Sequence, residues 1–155
     1  FGYHGLHHGI KGVSNNDEFR NLSYDDAYLK FENMESIAEK SGIKDRMSLI
    51  FRPPAWKMSP DSIRAARDFG FEVLALNSDP FYSNGYGGEE LKVSDVVYAD
   101  CYPPFIDLKI LEKSEILYHA CEWDKNYLNE NAVRNLVDFL EPLNDIDFCF
   151  IEDLL

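Results

Sequence analysis

Short apolar runs alternate with segments of helical period along nearly the whole chain, and this alternation most narrows the folds open to it. The runs "SLIF", "FEVLAL", "DVVYAD", "EILYHA" and "IDFCFI" each have the length of a strand. Helical patterns lie between them. Ser23 with Asp26 gives a capping signal, and Tyr28, Phe31, Ile37 and Ala38 recur at near-helical spacing. Ser23 to Lys40 therefore reads as a helix, with Gly42 as its stop. Ser59-Pro60 places a cap residue before a proline at the first helical position, opening a helix through Ile63, Ala66 and Phe69 to Gly70. Asn129 opens another, carrying Val133, Leu136, Val137 and Leu140. "MSLIF" (Met47 to Phe51) is a strand halted by Pro53 and Pro54, "FEVLAL" (Phe71 to Leu76) a buried strand, and "IDFCFI" a closing strand. Strands alternating with helices call for a mostly parallel sheet flanked by helices, an α/β fold. A length of 155 residues without internal repeats fits one domain.

In such folds the chemistry gathers at the carboxyl ends of the strands. The polar residues of interest sit there. "HGLHH" follows "FGY", Arg52 follows "SLIF", "NSD" follows "EVLAL", and His119 ends "EILY". The formal charge of −13 argues against unaided nucleic-acid binding, which needs clustered Lys and Arg, and against adhesion to anionic lipid. No apolar stretch is long enough to span a membrane. The sequence opens on Phe1 without a charged leader, so it is read as a processed product or a fragment. Three widely spaced cysteines, Cys101, Cys121 and Cys149, suggest reduced, partly buried thiols rather than disulfides or a Cys-rich zinc site. Such thiols point toward the cytoplasm, although a lost N-terminal address signal would override them.

Three of the four histidines fall within "YHGLHHG". Neutral imidazole is a good ligand for zinc and similar metals. His4 and His8 are four residues apart, and Gly5 and Gly9 argue for a turn that aims both rings at one point. A third protein ligand is normally needed; His7 is available, though it neighbours His8. The competing reading is a polar surface loop. In "FRPPAW", two prolines hold Arg52 rigidly at a strand end, where it suits a carboxylate or phosphate partner. Trp56 suits either a sugar-stacking platform or ordinary packing.

Taken in order, His4-x-x-x-His8, "FRPP", "SPDSIRAARDFGFEVL" and Leu117-Tyr118-His119 resemble the polysaccharide deacetylase family, carbohydrate esterase family four, over about residues 1 to 125. The resemblance implies a distorted (β/α) barrel, partial at its N-terminus, and metal-assisted hydrolysis of the amide bond of an N-acetylated glycan. It makes His4 and His8 metal ligands, with zinc the expected ion, and Arg52 the residue that orients the base. Pro54 and Ala55 line the groove, with a backbone N–H near Ala55 on the oxyanion. It makes His119 the general acid beside Leu117, and it aligns Asp79 with the acidic residue that tunes that histidine. The family's Asp-Asp pair, which supplies the base and third ligand, lies upstream of the histidine motif, and only three residues precede His4. Gly5, Ala55 and Trp56 replace the usual Ser or Thr, Tyr and Gly. Two other classes remain open. One is a non-catalytic carbohydrate-binding module on a degenerate scaffold. The other is an unrelated metal hydrolase whose third ligand is His7 or Asp79.

Overall fold

Local capping chemistry sets the helices of the chain, whose computed structural model describes residues 1–14, 17–77, 96–98, 100–101, 115–116 and 129–154. Helix α1 (Tyr24–Lys40) starts where the Ser23 side chain accepts the Asp26 N–H, and the Asp26 carboxylate accepts the Ser23 hydroxyl in return. Its buried face is Ala27, Phe31, Met34 and Ala38. Ile37, expected on that face, is 51% exposed. It lies six residues past Phe31, about a third of a turn away from it around the helix axis. Helix α2 (Pro60–Phe69) starts at Ser59, which accepts the Ser62 N–H, and stops at Gly70. The Ser59 hydroxyl also donates to Leu22 O at 2.7 Å, tying the two helix starts together. Ser59→Ala is expected to cost about 1 kcal/mol through the lost cap, read as a lower midpoint in urea unfolding.

The chain divides into two compact units, Phe1–Val97 and Tyr98–Leu154. In the first, strand β1 (Ile50–Phe51) pairs in parallel with β2 (Val73–Asn77), Ile50 opposite Val73 and Phe51 opposite Leu74. Strand β3 (Val96–Tyr98), of which Val96 and Val97 belong to this unit, follows on the far side of β2. The N-terminal residues flank the other edge of β1. The Tyr3 N–H donates to Ile50 O at 2.8 Å, and the Arg52 N–H donates to Tyr3 O at 2.9 Å. Residues 1–3 thus run parallel to β1, and His4 emerges at the end where Arg52 does.

β1 is shorter than the expected Met47–Phe51. Lys44–Arg46 form a single 3-10 turn, and the Met47 N–H returns to Lys44 O, which removes Met47 from the strand. β2 likewise starts after Phe71, whose N–H is taken by Ala66 O at the end of α2. α1 and α2 pack together over the sheet, and the core between them is aromatic. Phe31 meets Phe19, Phe51 and Phe71 at ring-centroid distances of 5.2, 5.2 and 5.1 Å. Phe19 stacks on Phe31, while Phe51 and Phe71 meet it edge-to-face, and aromatic pairs of both kinds add to the stabilisation from area burial.

In the second unit, β4 (Asp100–Cys101) pairs in parallel with β5 (Glu115–Ile116). Helix α3 (Glu130–Leu140) is capped by Asn129, whose side chain accepts the Ala132 N–H at 3.0 Å. The expected strand "IDFCFI" does not form. Residues 146–150 are irregular, and a 3-10 turn follows at Ile151–Leu154. A strand needs a neighbour for its N–H and C=O groups; here the Phe150 N–H turns back to the Asp153 carboxylate at 3.2 Å. Phe148 and Phe150 are 80% and 76% exposed. Cys149, on the same segment, is a free and exposed thiol rather than a partly buried one. Among the described residues, no helix is long and apolar enough to cross a membrane.

Candidate functional site

His4 is placed by the backbone pairing beneath it. The Tyr3 carbonyl accepts from Arg52, and one residue on the His4 Nδ1 lies 3.0 Å from Arg52 O. A carbonyl can only accept, so Nδ1 carries the hydrogen and the neutral ring keeps its lone pair on Nε2. His8 comes back to the same place. Its ring centroid is 5.1 Å from that of His4, with the rings at 63°. Two imidazoles on one tetrahedral zinc, at about 2.0–2.1 Å from metal to nitrogen, have centroids about 5 Å apart. The pair therefore has the spacing that a shared ion requires. His7 does not join it. It lines an open cavity of about 280 Å³ with Gly9, Lys11 and Ser14.

A residue without any sequence signal holds this loop. Glu18, 1% exposed, places Oε2 against the N–H groups of Leu6, His7 and His8 at 2.9, 3.0 and 3.1 Å. Three consecutive amides converging on one oxygen form an anion-binding nest, here filled by the chain's own carboxylate. Oε1 pairs with Lys30 Nζ of α1 at 2.8 Å. Burial by itself would push the Glu18 carboxyl up. The Lys30 hydrogen bond and the His7 and Leu6 N–H groups outweigh it and hold the carboxyl below its ordinary value. The next residue fixes Glu18 in place. Phe19 is fully buried, and its carbonyl accepts from the Ser59 N–H and the Ser62 hydroxyl at the start of α2. Glu18 is one of 28 acidic residues in the chain; its Oε2 partners are backbone groups ten to twelve residues away and its side-chain partner, Lys30, is twelve residues on, so no local side-chain pattern announces it.

The Arg52 turn abuts the histidine loop. Pro53 and Pro54 are fully buried, and Gly5 faces the Pro54 ring so closely that a Cβ at Gly5 would lie 2.8 Å from Pro54 Cγ. After the prolines, Ala55 and Trp56 both adopt left-handed backbone, φ 51° and 57°. Trp56 N–H to Pro53 O at 2.9 Å and Lys57 N–H to Pro54 O at 3.2 Å close the turn. Neither bond uses the Ala55 N–H. Non-glycine residues rarely hold such conformations, and consecutive ones cluster at functional sites. Arg52 is half-buried at this corner. Trp56 is 7% exposed, so its ring has little face to offer a sugar, and packing is the role its burial supports.

The structure thus brings His4, His8, Arg52, Pro54 and Ala55 to one end of the sheet. Asp79, Leu117 and His119 lie outside the described residues. A larger open cavity of about 430 Å³, lined by Tyr24, Asp25, Tyr28, Leu29, Glu32 and Asp68, involves none of the motif residues. Among the described residues, no three His, Cys, Asp or Glu side chains gather into a group that could hold a metal. A metal set built on His4 and His8 would need a third ligand from outside these residues. Comparison with known proteins gives no significant match, whether to a family model, to a curated protein or to a solved structure.

Proposed function

We propose that this chain is a metal-dependent hydrolase of the deacetylase type, acting on the C–N (amide) bond of an N-acetylated carbohydrate and built on a distorted (β/α) barrel. One observation carries the reading: His4 and His8 meet at ligand spacing, against the rigid Arg52–Trp56 turn, at the carboxyl end of a parallel strand pair. A divalent ion such as zinc would supply Lewis acidity toward the acetyl carbonyl and acidify a water. His4, with Nδ1 engaged by Arg52 O, offers Nε2 to it, and His8 offers its ring from the facing side. The Ala55 N–H is the donor suited to a developing oxyanion, because the left-handed turn closes without it. Arg52 would orient a carboxylate base by a charge-assisted hydrogen bond. On the family resemblance, His119 gives the proton to the leaving amine, Leu117 shields it and Asp79 tunes it.

The base and third ligand are the parts that an Asp-Asp pair upstream of the histidines would provide. These 155 residues alone are therefore expected to bind metal weakly and to release no acetate from N-acetylated oligosaccharides. The reading frame upstream of Phe1 is the test. An apolar strand ending in Asp-Asp, and a zinc-loaded protein including it that releases acetate in a His4-dependent way, is the expected result. A start codon close to Phe1, or an upstream strand lacking the pair, would overturn the hydrolase reading. The non-catalytic carbohydrate-binding module would then lead.

A further inference from the structure

We infer that Glu18 is the positioning residue of the His4–His8 site: its carboxylate, clamped between Lys30 and three loop amides, sets His8 in ligand geometry. The inference rests on the proposed metal site and adds a residue to it. The nest acts on His8 through its backbone. That backbone is left-handed, φ 62°, which a side-chain-bearing residue does not keep without support. The support is the nest. The His8 N–H is the last of the three that close on Glu18 Oε2, and Gly5, at φ 93°, gives the chain the turn that starts it. Leu6, between them, packs its side chain against the core. The loop is thus held from inside by a buried anion.

The clamp is also electrically closed. Lys30 faces Glu18 Oε1 from α1 at 2.8 Å, so the carboxylate is ionised and accepts on both oxygens without leaving a net charge beside the rings. A carboxylate is the acceptor suited to three amides at once. An amide oxygen in the same place is weaker and carries an NH₂ that would face Lys30. Residues that orient metal ligands in this way change affinity by about 10- to 100-fold when altered.

Cobalt(II), read by its visible absorption on the 155-residue chain, tests this. Glu18→Gln and the double variant Glu18→Gln/Lys30→Met, which removes the clash of amide with ammonium, are compared with the unaltered chain and with His8→Ala. Near-UV circular dichroism shows which variants are folded. The folded variants are expected to bind cobalt at least tenfold more weakly, as His8→Ala does. Affinity within twofold of the unaltered chain in a folded Glu18 variant, with His8→Ala binding lost, would overturn the positioning role and leave the metal site standing. Absence of His8-dependent cobalt binding in the unaltered chain would remove the metal reading and this inference with it. A second measurement needs no variant. Coupling is reciprocal, so saturating zinc must slow hydrogen exchange at the Leu6, His7 and His8 amides in the unaltered chain. An unchanged exchange rate at all three contradicts the inference.

Discussion

Glu18→Ala is expected to lower the stability of the chain by about 3–5 kcal/mol, the range for removing one partner of a buried, hydrogen-bonded ion pair. The side chain is 1% exposed, so its removal leaves a cavity. It also strands three N–H groups that had one acceptor, each worth roughly 1–3 kcal/mol if water does not replace it. Lys30, only 24% exposed at its side chain, loses its counter-charge as well. Domains of this size are stable by about 5–15 kcal/mol, so the loss is a large share of the total. Urea unfolding followed by circular dichroism reads it; a change below about 1 kcal/mol would show that the nest contributes little.

The same group sets an acid limit. The Glu18 carboxyl titrates below 4.5 in the folded chain, because Lys30 and the amides overcome its burial. A depressed carboxyl contributes stability that is present above its unfolded value and is lost as pH falls through its folded one. The urea midpoint should therefore fall as pH drops below about 4.5, and the fall should be shallower in Glu18→Gln, which has no proton to take up at this position.

Gly5→Ala is the second large effect, expected at about 2–4 kcal/mol from a left-handed penalty and a steric clash. The backbone at Gly5 has φ 93°, and an added Cβ would lie 2.7 Å from Glu18 Oε2 and 2.8 Å from Pro54 Cγ. Neither neighbour yields easily. Glu18 is pinned at both oxygens, and Pro54 is a buried ring. Gly12 separates the two causes. It also has positive φ, 77°, but nothing lies within 4 Å of its added Cβ. Gly12→Ala should cost only the backbone part, about 1 kcal/mol. Equal costs at the two glycines would mean that the contact between the histidine loop and Pro54 is not tight.

Local chemistry explains which parts of this structure can be read in advance. Ser59-Pro60 and Asn129 mark helix starts because the cap and the group it satisfies lie within three residues of each other. The histidine pair is legible for the same reason: four residues with a glycine between them turn a chain back on itself. "IDFCFI" misleads because an apolar run specifies a strand only where another strand accepts its backbone, and that is not a property of the run. Trp56 is ambiguous as a sequence feature, and only its burial separates packing from stacking. Glu18 is invisible because it satisfies backbone amides, which every residue possesses. Asp79, Leu117 and His119 stand on the resemblance alone.

The proposed function requires His4 and His8 to take the same ion. Imidazole nitrogen-15 shifts of the 155-residue chain titrated with zinc test it most directly. The His4 Nε2 signal and a ring nitrogen of His8 are expected to move together, along one binding curve that saturates at one zinc per chain, while the His7 nitrogens stay in place. Movement of His7 alone, separate curves for His4 and His8, or no movement of either would contradict it.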